Sequence, residues 1–179
     1  LAASVGVSYV VEHLIETLNN NVRGTETVIR LAQQSPGTKV ILASTSEVYG
    51  KSGSFPHRED DDLTIGPTTV GRWGYACSKM LDELITLAYS KEHGLPVVIL
   101  RLFNTVGPRQ SGRYGMVLPR FVFQALEDAP ITVHGDGNQS RCFTYVGDAV
   151  TAMVDIAGVP QAEGQVFNLG SEREITINH

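Results

Sequence analysis

The sequence predicts an α/β fold: a doubly wound parallel sheet, present in part, joined to part of a smaller carboxyl-terminal region. Two near-continuous apolar runs, Lys39-Val-Ile-Leu-Ala43 and Pro96-Val-Val-Ile-Leu-Arg-Leu102, read as central strands buried on both faces. Long helical patterns precede and separate them, and strand, helix, strand with helical connections gives a right-handed doubly wound sheet. The first run breaks into Ser44-Thr45-Ser46. The second runs into Asn104 and Gly107-Pro108, a turn at the carboxyl edge of the sheet, where open α/β sheets bind ligands. Residues 1–107 are assigned to the sheet-forming unit, and 108–179 mostly to the smaller region, with some segments returning to the sheet.

Taken in order, residues 10–33 read as one long helix. Leu14, Leu18, Val22, Thr25, Val28, Ile29 and Ala32 recur at three- and four-residue spacings, a stripe suited to packing on a sheet, and Pro36-Gly37 stops it. Residues 51–72 are rich in Asp, Gly, Pro and Thr without periodicity and read as loop. Within them Glu59-Asp-Asp-Asp62 reads as a solvated acidic turn; no metal site is assigned, because no His accompanies the carboxylates. A helix over 73–93 should bury Met80, Leu84, Ile85, Leu87 and Ala88 and end near Gly94. Beyond the second central strand, 110–116 reads as loop, 117–127 as helix and Ile131-Thr-Val133 as a short strand. His134-Gly135-Asp136-Gly137 follows as a tight turn, then a helix from Asp148, its N-cap, to Ala157.

Tyr75 and Lys79 lie four residues apart in the 73–93 helix and so project from one face. A phenol titrates near 10, too high for a base at neutral pH, and an ammonium a few ångströms away lowers that value. Reaching pH 7 needs a shift of roughly three units, about 4 kcal/mol. Thr45 or Ser46, at the end of the first strand, could hydrogen-bond the same substrate oxygen on which Tyr75 acts.

Composition narrows the function classes. A formal charge of −5 argues against a nucleic-acid-binding surface. No apolar run approaches the ~20 residues of a membrane-spanning helix. Cys77 and Cys142 form neither a disulfide framework nor a metal-ligand spacing, which makes a reducing cytoplasmic setting the default.

Ser44-Thr-Ser-Glu-Val-Tyr-Gly50, Tyr75-x-x-x-Lys79 and Arg101-Leu-Phe-Asn-Thr-Val-Gly-Pro-Arg109 together resemble the extended short-chain dehydrogenase/reductase family. The likeness is to its NAD-dependent nucleotide-sugar epimerases, dehydratases and UDP-glucuronate decarboxylases, and it implies a Rossmann-like sheet. It also implies NAD as cofactor, approached by Ala43, Ser44, Tyr75, Lys79 and Phe103, with Lys79 on the ribose. Tyr75 would be the acid/base, Thr45 its partner on the reacting oxygen, and Ser46 a substrate contact. Asn104 and Arg141, the latter in R-x-F-x-x-V-x-D, would hold the diphosphate of a nucleotide sugar, UDP-linked by the same likeness. Arg113 is a candidate sugar or phosphate contact. Val133, in a segment that resembles L-x-V-x-G-x-G, would lie along the base, with His134 as a pocket wall. Asn21-Val-Arg-Gly-Thr25 resembles N-V-x-G-T, whose Asn braces the active-site strand; an ordinary core helix is the alternative. Val166-Phe-Asn168-Leu-Gly170 resembles the family's Y-N-L-G strand. A homodimer through the Asn21 and Tyr75 helices is the expectation by analogy.

The 4-keto sugar formed by oxidation has three fates: epimerisation, loss of water, or loss of CO2 from a uronic acid. Glu47 follows Thr45-Ser46, a T-S-E order seen in decarboxylases and in many epimerase-like proteins, and counts as a fourth catalytic candidate. Epimerisation of a UDP-sugar ranks first and decarboxylation or dehydration second. The sequence holds no G-x-G-x-x-G or G-x-x-G-x-x-G turn. We therefore expect the middle and later part of a longer enzyme. A rival of another class is a catalytically inactive fragment or nucleotide-sugar binding module.

Overall fold

The computed structural model describes residues 3–53, 55–112 and 116–179. Its centre is a three-stranded parallel sheet of β1 (Val40–Thr45), β2 (Val97–Leu102) and β6 (Gln165–Leu169), with β2 in the middle. Val40 pairs with Val97 and Thr45 with Leu102; Val98 pairs with Gln165 and Leu102 with Leu169. This register brings Thr45, Leu102 and Leu169 to one edge, so the residues that follow them emerge side by side.

Both faces of β2 are covered, which explains its unbroken apolar run. Ile29, Ala32, Leu95 and Val97 cluster on one side with Val40, Ile85 and Tyr89. Val98, Leu100 and Ala162 cluster on the other with Ile41, Met153, Ile156, Phe167 and Leu169. Each fully buried aliphatic side chain contributes about 1.5–3 kcal/mol. The helices are α2 (Leu14–Gln33) and α3 (Trp73–His93) on the first side and α5 (Val146–Ala157) on the second. Gly94, at φ 65°, closes α3 as a left-handed cap.

The predicted 10–33 helix is two helices. A short α1 (Val7–Glu12) ends at His13, whose φ of −127° and ψ of 47° break the spiral before α2 begins. The stripe on α2 differs too: Thr17, Asn21, Ile29 and Ala32 are buried, whereas Val28 is 58% exposed. On α3 the prediction fails more sharply. Leu84 is 64% exposed and Ala88 is exposed, while Ser78, Lys79, Asp82, Glu83 and Thr86 are buried. The inward face of α3 is polar because its partners are polar: Asn21 on α2 and Arg101 on β2.

Residues 131–134 form no strand. Their backbone is held instead by α4 (Val117–Leu126), where Gln124 donates to Thr132 Oγ1 at 2.9 Å and accepts from its N–H at 3.1 Å. The tight turn that follows is present, with Gly135 and Gly137 both at φ 74°. Helix α5 starts at Val146, so Asp148 lies in its first turn rather than at its cap, where it still favours the helix dipole. Two small ladders complete the carboxyl-terminal part: β3 (Thr105–Val106) with β5 (Thr144–Tyr145), and β4 (Ser140–Cys142) antiparallel to β7 (Glu174–Thr176).

Candidate active site

Thr45 ends β1 and caps the 3-10 turn Ser46–Tyr49, its Oγ1 accepting from the Glu47 N–H at 3.2 Å. Tyr75 enters from the first turn of α3 and faces Thr45. The sheet edge thus brings the predicted Tyr–Thr pair together. Burial pushes the Tyr75 phenol up to about 12; the Thr45 hydroxyl opposes this, and the negative charges of Glu47 and Asp82 add to it.

Lys79 does not play the part expected of it towards Tyr75 in this state. Its Nζ lies 2.9 Å from Asp82 Oδ2, and both side chains are buried, at 3% and 0% residue exposure. Asp82 is the one hydrogen-bond partner of that ammonium among the described residues, while an ammonium carries three donors. A buried cation with N–H groups to spare suits the ribose hydroxyls of a dinucleotide, so the site fits NAD at this point. Asn21 braces α3 rather than β1: its Nδ2 donates to Ser78 Oγ at 3.1 Å, and its Oδ1 accepts from the Ser4 N–H.

Beneath this pair runs a polar network that sequence reasoning missed. Glu83 receives Arg101 Nε and Nη2 and also hydrogen-bonds Ser44 Oγ. Arg101 Nη1 donates to Tyr49 Oη at 2.9 Å and to the Glu59 carbonyl at 3.1 Å. The Tyr49 hydroxyl in turn donates to Asn168 Oδ1 at 2.7 Å. Asn168 donates to the His57 carbonyl, and its N–H to Glu59 Oε1. Residues 57–59 are thereby strapped to β2 and β6; Glu59, Asp60 and Asp62 are exposed as expected of a solvated turn, but Glu59 also accepts from the Asn168 N–H. Gly50 starts the strap at φ 61°, with its backbone against Thr64 so closely that a Cβ would lie 2.3 Å from the Thr64 oxygen. The available signal was Arg101 itself, a charge inside an apolar strand.

The other predicted residues fall as follows. Ala43 is half-buried on β1, and the Ser44 hydroxyl is engaged by Glu83, which leaves its backbone for any cofactor contact. Ser46 opens the 3-10 turn, and Glu47 is exposed beside Tyr75. Phe103 follows β2, its ring centroid 6.4 Å from those of Tyr49 and His57. Asn104 Nδ2 donates to the Cys142 carbonyl at 3.1 Å, which sets Asn104 against the β4 strand that carries exposed Arg141. Val133 is half-buried in the segment tied to α4. Arg113 lies outside the described residues. Among the described residues no His, Cys, Asp and Glu group could hold a metal ion.

Tyr75, Thr45 and the buried Lys79, one turn beyond Tyr75 on α3, thus lie at the carboxyl edge of the parallel sheet. The chain belongs to the NAD dependent epimerase/dehydratase family, whose model matches residues 1–170. It is 47% identical over 178 residues to a UDP-N-acetyl-alpha-D-glucosaminuronate decarboxylase of Bacillus cytotoxicus, covering 99% of this chain and 54% of that protein. It is 38% identical to UDP-glucuronic acid decarboxylase 1 of Danio rerio, covering 91% of this chain and 38% of that one. Among solved structures, it is similar to UDP-glucuronic acid 4-epimerase from Bacillus cereus in complex with UDP-glucuronic acid and NAD. The TM-score there is 0.86 at 32% identity, over 99% of this chain and 55% of that one. The chain therefore spans about half the length, or less, of the curated relatives it matches.

Proposed function

We propose that the protein is an NAD-dependent decarboxylase of a UDP-linked uronic acid. The observation that carries this reading is the placing of Tyr75 against Thr45 at the end of β1, with Glu47 two residues beyond Thr45. Tyr75 takes the proton of the sugar C4 hydroxyl and Thr45 hydrogen-bonds the same oxygen. NAD, when bound, supplies the hydride acceptor and later the donor. The resulting C4 ketone lies β to the carboxylate, so the C5–C6 bond breaks with loss of CO2 and C5 takes up a proton from water, which the Glu47 carboxylate relays. Asn104 and Arg141 hold the diphosphate, a planar guanidinium being suited to bidentate contact. Ala43, Phe103 and Lys79 hold NAD, Ser46 the sugar, Arg113 a phosphate or hydroxyl, and Val133 the base. Residues 1–107 form most of the cofactor unit and 108–179 most of the substrate unit.

The 47% identical decarboxylase moves this chemistry ahead of epimerisation, which the sequence reading ranks first. Epimerisation is kept as the second reading because of the likeness to the UDP-glucuronic acid 4-epimerase. Two further proposals accompany the assignment. The exposed Leu81 and Leu84, on the side of α3 opposite its polar face, form a homodimer contact. The two free cysteines fit a cytoplasmic setting. No helix among the described residues is long and apolar enough to cross a membrane.

The test is Tyr75→Phe in the full-length enzyme supplied with UDP-uronic acids. Turnover should drop by about a thousandfold or more with substrate affinity little changed. Near-normal turnover sinks the assignment. Release of CO2 with a pentose product separates the first reading from the second, in which the uronic acid is returned with inverted C4.

A further inference from the structure

The seam between α2 and α3 holds a charged residue that the chemistry above does not use. Asp82 has no exposed surface and sits one turn beyond Lys79 on α3. Its Oδ2 takes the ammonium at 2.9 Å, and Thr25 of α2 and Glu83 of α3 are its other polar neighbours. Glu83 is itself neutralised by Arg101, whose Nη2 lies 2.8 Å away. Tyr75 faces Thr45 and Glu47 from the β1 side and Asp82 from its own helix. A lone Lys79 would favour the phenolate, whereas a Lys79 already paired at contact distance presents almost no net charge to its surroundings.

We propose that Asp82 is a positioning residue: its carboxylate fixes the Lys79 ammonium and cancels its charge, which keeps Tyr75 a neutral phenol until a ligand draws on Lys79. The inference rests on the reading of Tyr75 as the acid/base group. It makes Tyr75 acidity a property of three residues on one helix rather than of a Tyr–Lys pair.

The test is an ultraviolet phenolate titration at high pH of the full-length protein and its Asp82→Asn variant, each against a Tyr75→Phe control. The amide keeps the shape of Asp82 but frees the Lys79 charge. The Tyr75 midpoint should fall by about one to three units, the usual effect of an opposite charge within a few ångströms. An unchanged or higher midpoint in the folded variant overturns the proposal. Should Asp82→Asn fail to fold, carbon NMR of the Asp82 carboxyl in the unaltered protein decides. An ionised carboxylate at pH 7 supports the counter-charge, and a protonated acid overturns it. Neither readout depends on turnover, so failure here leaves the Tyr75→Phe assay to judge the function separately.

Discussion

Glu83 and Arg101 form a buried ion pair between α3 and the central strand: Nε reaches Oε1 at 3.1 Å and Nη2 reaches Oε2 at 2.8 Å. Through Arg101 Nη1 the same pair holds Tyr49 and the Glu59 carbonyl, so it couples α3 to the strapped loop. Removing one partner of a buried pair leaves an uncompensated charge, which costs about 3–5 kcal/mol. Glu83→Gln should lower the urea midpoint of the protein accordingly. A midpoint within experimental scatter of the parent would show that the pair is not a stabilising contact.

His57 stacks on Tyr49 at a centroid distance of 4.2 Å and an interplanar angle of 3°. Burial lowers its pKa from the ordinary 6.5, and Asp61 opposes the shift only in part. A base whose pKa is depressed on folding binds its proton more weakly in the folded state. Its contribution to stability is therefore present above pH 6.5 and lost as pH falls through the folded value. Hydrogen exchange in residues 51–64 should accelerate between pH 7 and pH 5 beyond the intrinsic trend. His57→Phe should abolish that extra acceleration, and an identical pH response in the variant would assign the effect to other groups.

Thr45 acts to lower the pKa of Tyr75, against the larger effect of burial. Thr45→Val keeps the shape and deletes the hydroxyl. The Tyr75 midpoint should then rise further. Turnover should fall about a hundredfold, the scale for loss of one hydrogen-bond donor at a reacting oxygen. Unchanged turnover would leave Thr45 only its role as the cap of the 3-10 turn.

The Leu84 side chain, 64% exposed, tests the proposed subunit contact. Leu84→Glu places a charge on that face without touching the polar one. Sedimentation velocity should show a dimer for the parent and a monomer for the variant. Equal masses at micromolar concentration would rule out α3 as the contact.

The sequence by itself determined the two central strands and the placing of Tyr75 and Lys79 on one helix. Val97–Leu100 could be nothing but a doubly covered strand, because an unbroken apolar run leaves no face for water. Tyr75 and Lys79 are legible because helical spacing is local. What only the tertiary structure decided is where the charges go. Apolar periodicity assigned Leu84 and Ala88 to the core of α3, yet that face is exposed and the buried one carries Lys79, Asp82, Glu83 and Thr86. Lys79, Asp82 and Thr86 are paired within the helix, whereas Glu83 depends on Arg101, 18 residues away, and the neighbouring Ser78 on Asn21, 57 away. A periodicity argument sees one segment at a time and treats a charge as outward. For Glu83 the pairing that makes an inward charge tolerable exists only once α3 and β2 have met.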